Sequence, residues 1–121
     1  MSNKTVLFAS MEELAAASSV KDGKREIDYE KASDTIEVSE QLCGETCFMV
    51  RAGRDTIAVV DESDLEIDEE FIYVERGTAI IADAMAIMPD GGVVTEWGDD
   101  HRVVPVERVI GRVIARIPNV G

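Results

Sequence analysis

The chain has 121 residues, an apolar fraction of 45% and a formal net charge of −13. That length suits one domain and that composition suits a packed core. No stretch approaches the roughly 20 apolar residues of a membrane-spanning helix, and the charge disfavours direct contact with a nucleic-acid backbone.

Residues 1–34 differ in composition from the rest. Met11 to Ser19 is Ala-rich with Glu12 and Glu13 near its start, and predicts one short helix. Those two carboxylates also break the uninterrupted apolar block a signal peptide would need, so a cytoplasmic location is expected. Lys21 to Lys31 is charged and predicts a loop or mobile arm. All four lysines, Lys4, Lys21, Lys24 and Lys31, fall in this leading part.

From Thr35 onward short apolar runs alternate with turns. Thr35 to Val38 alternates weakly. Cys47 to Arg51 and Thr56 to Val60 flank a turn at Ala52-Gly53-Arg54. Phe71 to Glu75 ends at Arg76-Gly77, and Ala79 to Met88 is apolar apart from Asp83. Pro89-Asp90-Gly91-Gly92 is a strong hairpin turn. Val93 to Trp97 returns to a turn at Gly98-Asp99-Asp100, and Val103 to Val106 and Val109 to Ile117 complete the series. The expected fold is therefore mainly β, a compact β-barrel or paired sheets (residues 35–121) behind a short N-terminal helix and charged arm (residues 1–34).

Asp61, Glu62, Asp64, Glu66, Asp68, Glu69 and Glu70 place seven carboxylates in one short run. The run lacks the glycine of an EF-hand loop and reads as a solvated connection between strands. Cys43 and Cys47 are spaced C-x-x-x-C. A structural zinc site needs about four ligands, and His101 is the chain's single histidine, so neither metal nor cofactor is expected. A disulfide between them is open but disfavoured in a reducing cytosol, and the cysteines read as two ordinary buried thiols.

Taken together, residues 35–120 resemble the C-terminal domain of the LexA, UmuD and phage-repressor family, self-cleaving domains with a serine–lysine pair. Gly44-Glu45-Thr46-Cys47 stands where the family has Gly-Asp-Ser-Met. Arg51-Ala52-Gly53-Arg54-Asp55 leading into Thr56 to Asp61 resembles the family's next strand entry. Ile72-Tyr73-Val74, running on to Pro89-Asp90-Gly91, resembles the strand pair that carries its lysine. Val109-Ile110-Gly111-Arg112-Val113-Ile114 is similar to its final strand. The archaeal and reticulum signal peptidases share that last strand type and continue it much as Ile117-Pro118-Asn119-Val120-Gly121 does. Their membrane anchor and Ser-Met-Glu-Pro motif are missing from the expected place.

The resemblance implies a LexA-like fold whose catalytic pair is degenerate. The family's serine falls on Thr46 and its lysine on Asp83, and an aspartate cannot stand in for a neutral amine as base at the same geometry. Shifting the frame puts Thr56 on the serine and leaves the lysine unfilled as well. His101 beside Asp99 and Asp100 offers another dyad, set against the commoner reading of an exposed turn histidine. Residues 1–34, with one helix, are too little for the family's DNA-reading helix-turn-helix.

The function expected is a non-catalytic, peptidase-like protein-binding module. It would be a regulator of decoy or antirepressor type, or a homodimer. Association through the last strand would use Val109, Ile110, Arg112, Ile114 and Arg116, with the acidic run available to a basic partner; the same alternation suits equally a core strand whose arginines face solvent. The alternatives are a diverged self-cleaving peptidase using Thr46 or Thr56, and a small structural or virion-associated β protein.

Overall fold

The structure, a computed structural model, describes residues 3–28, 34–39, 41, 47–62 and 65–118. It is mainly β, as the sequence implies, and its strands form three sheets. The first strand, β1 (Asn3–Ser10), is the Thr-Val-Leu-Phe-Ala run, whose apolar residues 6–9 are all buried. Ser10 then caps the helix α1 (Met11–Ala16). Its Oγ accepts from the Glu13 N–H at 3.1 Å while Glu13 Oε1 accepts from the Ser10 N–H at 3.3 Å. This reciprocal capping box is why so short a helix starts where it does.

The expected charged arm is instead a hairpin of β2 (Ser18–Lys21) and β3 (Lys24–Ile27). Asp22 and Gly23 both have positive φ, 54° and 77°, as a two-residue turn between twisted strands requires. Asp-Gly is among the strongest hairpin signals a sequence can carry, and the charge of the flanking residues obscured it.

Four strands follow: β4 (Thr35–Ser39), β5 (Cys47–Arg51), β6 (Thr56–Asp61) and β7 (Glu70–Glu75). A turn at Arg76-Gly77, again with both φ positive, returns the chain into β8 (Thr78–Asp83). β9 (Ala86–Ile87) and β10 (Val93–Trp97) are joined through the Pro89–Gly92 turn, where the Met88 N–H donates to the Gly92 carbonyl at 2.7 Å. β11 (Asp100–Val104), a 3₁₀ turn (Val106–Arg108) and the long β12 (Val109–Pro118) complete the chain.

The main sheet has the order β4-β1-β5-β6-β12-β7-β8, and β9, β10 and β11 form a second sheet in the order β11-β10-β9. Of the two architectures expected, a barrel or paired sheets, the barrel does not close among the described residues, where β4 and β8 are the edges of the seven-stranded sheet. Nor do residues 1–34 stand apart, since β1 lies inside that sheet, antiparallel to β4 and parallel to β5. A buried apolar strand finds its free energy in cross-strand packing on both sides, which an arm could not supply.

Leu14 of α1 joins Leu7, Phe48, Val60, Ile72 and Ile110 in the core on one face of the main sheet. The opposite face carries two further clusters. Met49 and Val59 centre one, and Phe71, Tyr73, Val93 and Val104 seat the small sheet on β7 and β8.

Candidate functional site

Antiparallel register brings Cys47, Asp61, Arg112, Phe71 and Ala82 onto one line across the main sheet. Asp83, exposed at the end of β8, lies one residue off that line, opposite Glu70. Thr46 and Cys43 lie outside the described residues. Thr56 starts β6 opposite Pro118, five residues from Asp61, so at about 3.3 Å per residue it stands about 17 Å along the sheet from that line. His101 is exposed on β11, paired with Glu96 in the second sheet, and is a strand residue rather than the turn residue expected. The structure therefore does not bring Thr56, Asp83 and His101 together. No group of three or more His, Cys, Asp or Glu among the described residues is placed to hold a metal ion.

Cys47, buried at the head of β5, is disulfide-bonded, and Cys43 is the chain's other cysteine. This corrects the expectation of two thiols. A four-residue separation lets a chain turn back within the short Cα–Cα reach of a disulfide, whatever the compartment.

The last strand and the acidic run, expected as two separate surfaces, are each other's partners. β12 lies between β6 and β7, inside the sheet, so the edge pairing expected of it is closed. Ile110 is buried, and register shifts between Val109 and Gly111 and between Val113 and Ala115 break its alternation. Arg112 and Arg116, four residues apart, would share one face of a regular strand. The second shift puts Arg112 with Asp61 and Phe71, and Arg116 with Ala58, on opposite faces. Arg112 Nη1 lies 3.3 Å from Glu66 Oε1 and 3.2 Å from Glu69 Oε2. Arg116 donates from Nε to Glu70 Oε1 at 2.9 Å and pairs its Nη2 with Oε2. Asp64 lies outside the described residues; of the other six carboxylates of the run, Glu66, Glu69 and Glu70 are thus held by the strand they were expected to leave free. Ile114 keeps an exposed side chain.

A second knot joins the two sheets. Arg102 of β11 reaches Glu75 of β7 with both terminal nitrogens, Nη1 to Oε2 at 3.2 Å and Nη2 to Oε1, and Arg108 Nη1 lies 3.7 Å from the same carboxylate. The Arg102 hydrogen bonds hold the Glu75 carboxyl below its ordinary range, against a smaller opposing effect of burial. Beside it, burial pushes the Tyr73 hydroxyl up, and the ring stacks on Phe71 with centroids 5.4 Å apart.

Beneath the β2–β3 hairpin lies a cleft of about 570 Å³, within the size range of pockets that enclose a ligand or a short peptide. One side is all of β3, from Lys24 to Ile27; another is Val109 to Gly111 of β12. Leu65, Ile87 and Val106 add apolar surface, and Glu62 brings the end of the acidic run to it. Ile27 and Ile110 are buried, Leu65 and Val106 are half-buried, and Lys24, Glu26 and Ile87 are exposed, so an apolar floor is bordered by a rim of both charged and apolar side chains. Arg25 braces this arrangement, donating from Nε to the Glu107 carbonyl at 3.0 Å and from Nη1 to Ser18 Oγ at 2.9 Å. Gly111 is required at the junction. A Cβ there would strike the Asp61 carbonyl oxygen.

Of these residues, sequence reasoning singled out only Glu62, Val109 and Ile110. The hairpin residues were legible from Asp22-Gly23; Leu65, Ile87 and Val106 carry no local signal, because only the tertiary fold collects them.

In comparisons with known proteins, the chain matches no family model and no curated protein.

Proposed function

We propose that this chain is a non-catalytic protein-binding module on a LexA-like scaffold, a regulator of decoy or antirepressor type. The observation that carries this reading is the cleft. Buried and half-buried apolar residues line it, and charged side chains share its rim with the exposed Ile87, a composition by which protein surfaces seat a segment of another chain. The sequence supports it from the other side, since the position of the family's amine base holds Asp83. β12 is interior, so association runs through the cleft rather than through its edge, and an obligate homodimer built on Arg112 and Arg116 is not part of the proposal.

The competing reading, a peptidase using Thr46 or Thr56, is tested by incubating the chain at alkaline pH and following its intact mass under denaturing conditions. The expected result is an unchanged mass. Fragments that appear in the parent chain and vanish in Thr46→Ala or Thr56→Ala would replace the binding module with an enzyme.

A further inference from the structure

An aspartate followed by glycine can close on its own main chain. The glycine amide nitrogen attacks the aspartate Cγ, a C–N bond forms, and the side-chain hydroxyl leaves as water with the amide proton. Water then opens the five-membered imide at either carbonyl. One opening restores aspartate; the other gives isoaspartate, in which the main chain runs through Cγ. Glycine favours the attack because no side chain crowds the nitrogen. The chain holds two such pairs, Asp22-Gly23 and Asp90-Gly91, in different surroundings. Asp22 and Gly23 are the two residues between β2 and β3, and both are exposed. A Cβ placed on Gly23 would have nothing within 4 Å. Among the described residues, neither the Asp22 carboxylate nor the Gly23 N–H has a hydrogen-bond partner. At the second pair both reacting groups are held. Asp90 Oδ1 accepts from the Gly92 N–H at 2.9 Å, and the Gly91 N–H donates to the Met88 carbonyl at 2.9 Å. A Cβ on Gly91 would also stand 2.9 Å from Val106 Cγ2, so that pair is hemmed in as well.

We propose that Asp22 is a site of spontaneous covalent modification, isomerising to isoaspartate through the Gly23 nitrogen, and that Asp90 is spared. The change has a structural consequence. It puts one more carbon into the main chain between Lys21 and Lys24, which pair across a two-residue loop. The length of such a loop fixes the register of its strands, so β2 and β3 part. β3 is a wall of the cleft, and its Arg25 is braced on Ser18 and on the Glu107 carbonyl. Isomerisation therefore unseats that wall. It requires only water, and it stands whether or not the cleft binds a partner.

The test ages the whole chain for several weeks in neutral buffer, once folded and once unfolded in guanidinium, and locates isoaspartate by digestion and electron-transfer fragmentation. In the folded chain Asp22 should convert about tenfold faster than Asp90 or more, the factor expected when two ordinary hydrogen bonds must first break at Asp90. In guanidinium the two rates should converge, because the fold alone separates them. Equal rates in the folded chain, or a faster Asp90, overturn the proposal. So does an unchanged Asp22 in the folded chain over a period in which the unfolded chain converts. The isomerised form, separated by chromatography and isotopically labelled, should lose the nuclear Overhauser contacts between β2 and β3 and keep those of β1 with β4 and β5. Persistence of the β2–β3 contacts would overturn the release of the cleft wall.

Discussion

Glu75 shows how one side chain can fasten two layers that local sequence gives no reason to associate. It ends β7 in the main sheet, yet its carboxylate receives Arg102 from the small sheet and Arg108 from the 3₁₀ turn. Its carboxyl is held below the ordinary value near 4.5, chiefly by the Arg102 hydrogen bonds. A group depressed in the folded state contributes stability that is fully present above its unfolded value and is lost as pH falls through the folded one. The stability gap between the parent chain and Glu75→Gln should therefore be widest near neutrality and narrow on acidification below the ordinary carboxylate range. Urea unfolding at a series of pH values measures it, and a gap independent of pH would remove the ion pair as its cause. In the sequence Arg102 stands only as a basic residue ahead of the Val103–Val106 run, which the structure replaces by a strand from Asp100 to Val104, and its partner lies 27 positions away.

At the scale of elements, strand existence was legible and strand neighbours were not. Cys47–Arg51 and Val93–Trp97 are strands with the bounds their residues imply, because β-branched and aromatic runs between turn residues carry that information locally. The partners of β12 were not legible. Its Ile-x-Arg-x-Ile alternation suggests two clean faces, one of them free for association, and two register shifts undo that pattern. Bulges depend on what the neighbouring strands demand. The requirement is visible at Gly111, where the β6 main chain passes so close that no side chain fits. Gly111→Ala should force β12 away from Asp61 and destabilise the chain by about 1–3 kcal/mol, the usual range for overpacking a tight site. Thermal or denaturant unfolding reads this directly, and a neutral effect would mean that β6 can give way. The candidate site was legible in part for the same reason: Glu62 stands out by charge, whereas Ile87 and Val106 acquire meaning only where β9 and the 3₁₀ turn converge.

For the molecule as a whole, the decisive feature is the place of its first strand. The sequence divides naturally at Thr35 by composition, but β1 is inserted between β4 and β5, and Leu7, Ala9 and Leu14 are shared with the core of everything that follows. A chain restricted to residues 35–121 would expose that core and leave β5 without its parallel neighbour. It should fail to fold, giving collapsed amide-proton dispersion and no cooperative melt, whereas a well-dispersed spectrum would restore an independent domain at that boundary.

The interlocked first strand also governs what a broken chain would do. A nick between Asp28 and Asp34 would sever the polypeptide beyond the β2–β3 hairpin, yet β1 would still be laced to β4 and β5 by main-chain hydrogen bonds and α1 would still be plugged into the core. The two pieces would travel as one particle under native conditions and, once parted by denaturant, should reassemble when mixed, which makes the leading segment a natural half of a split-protein reporter.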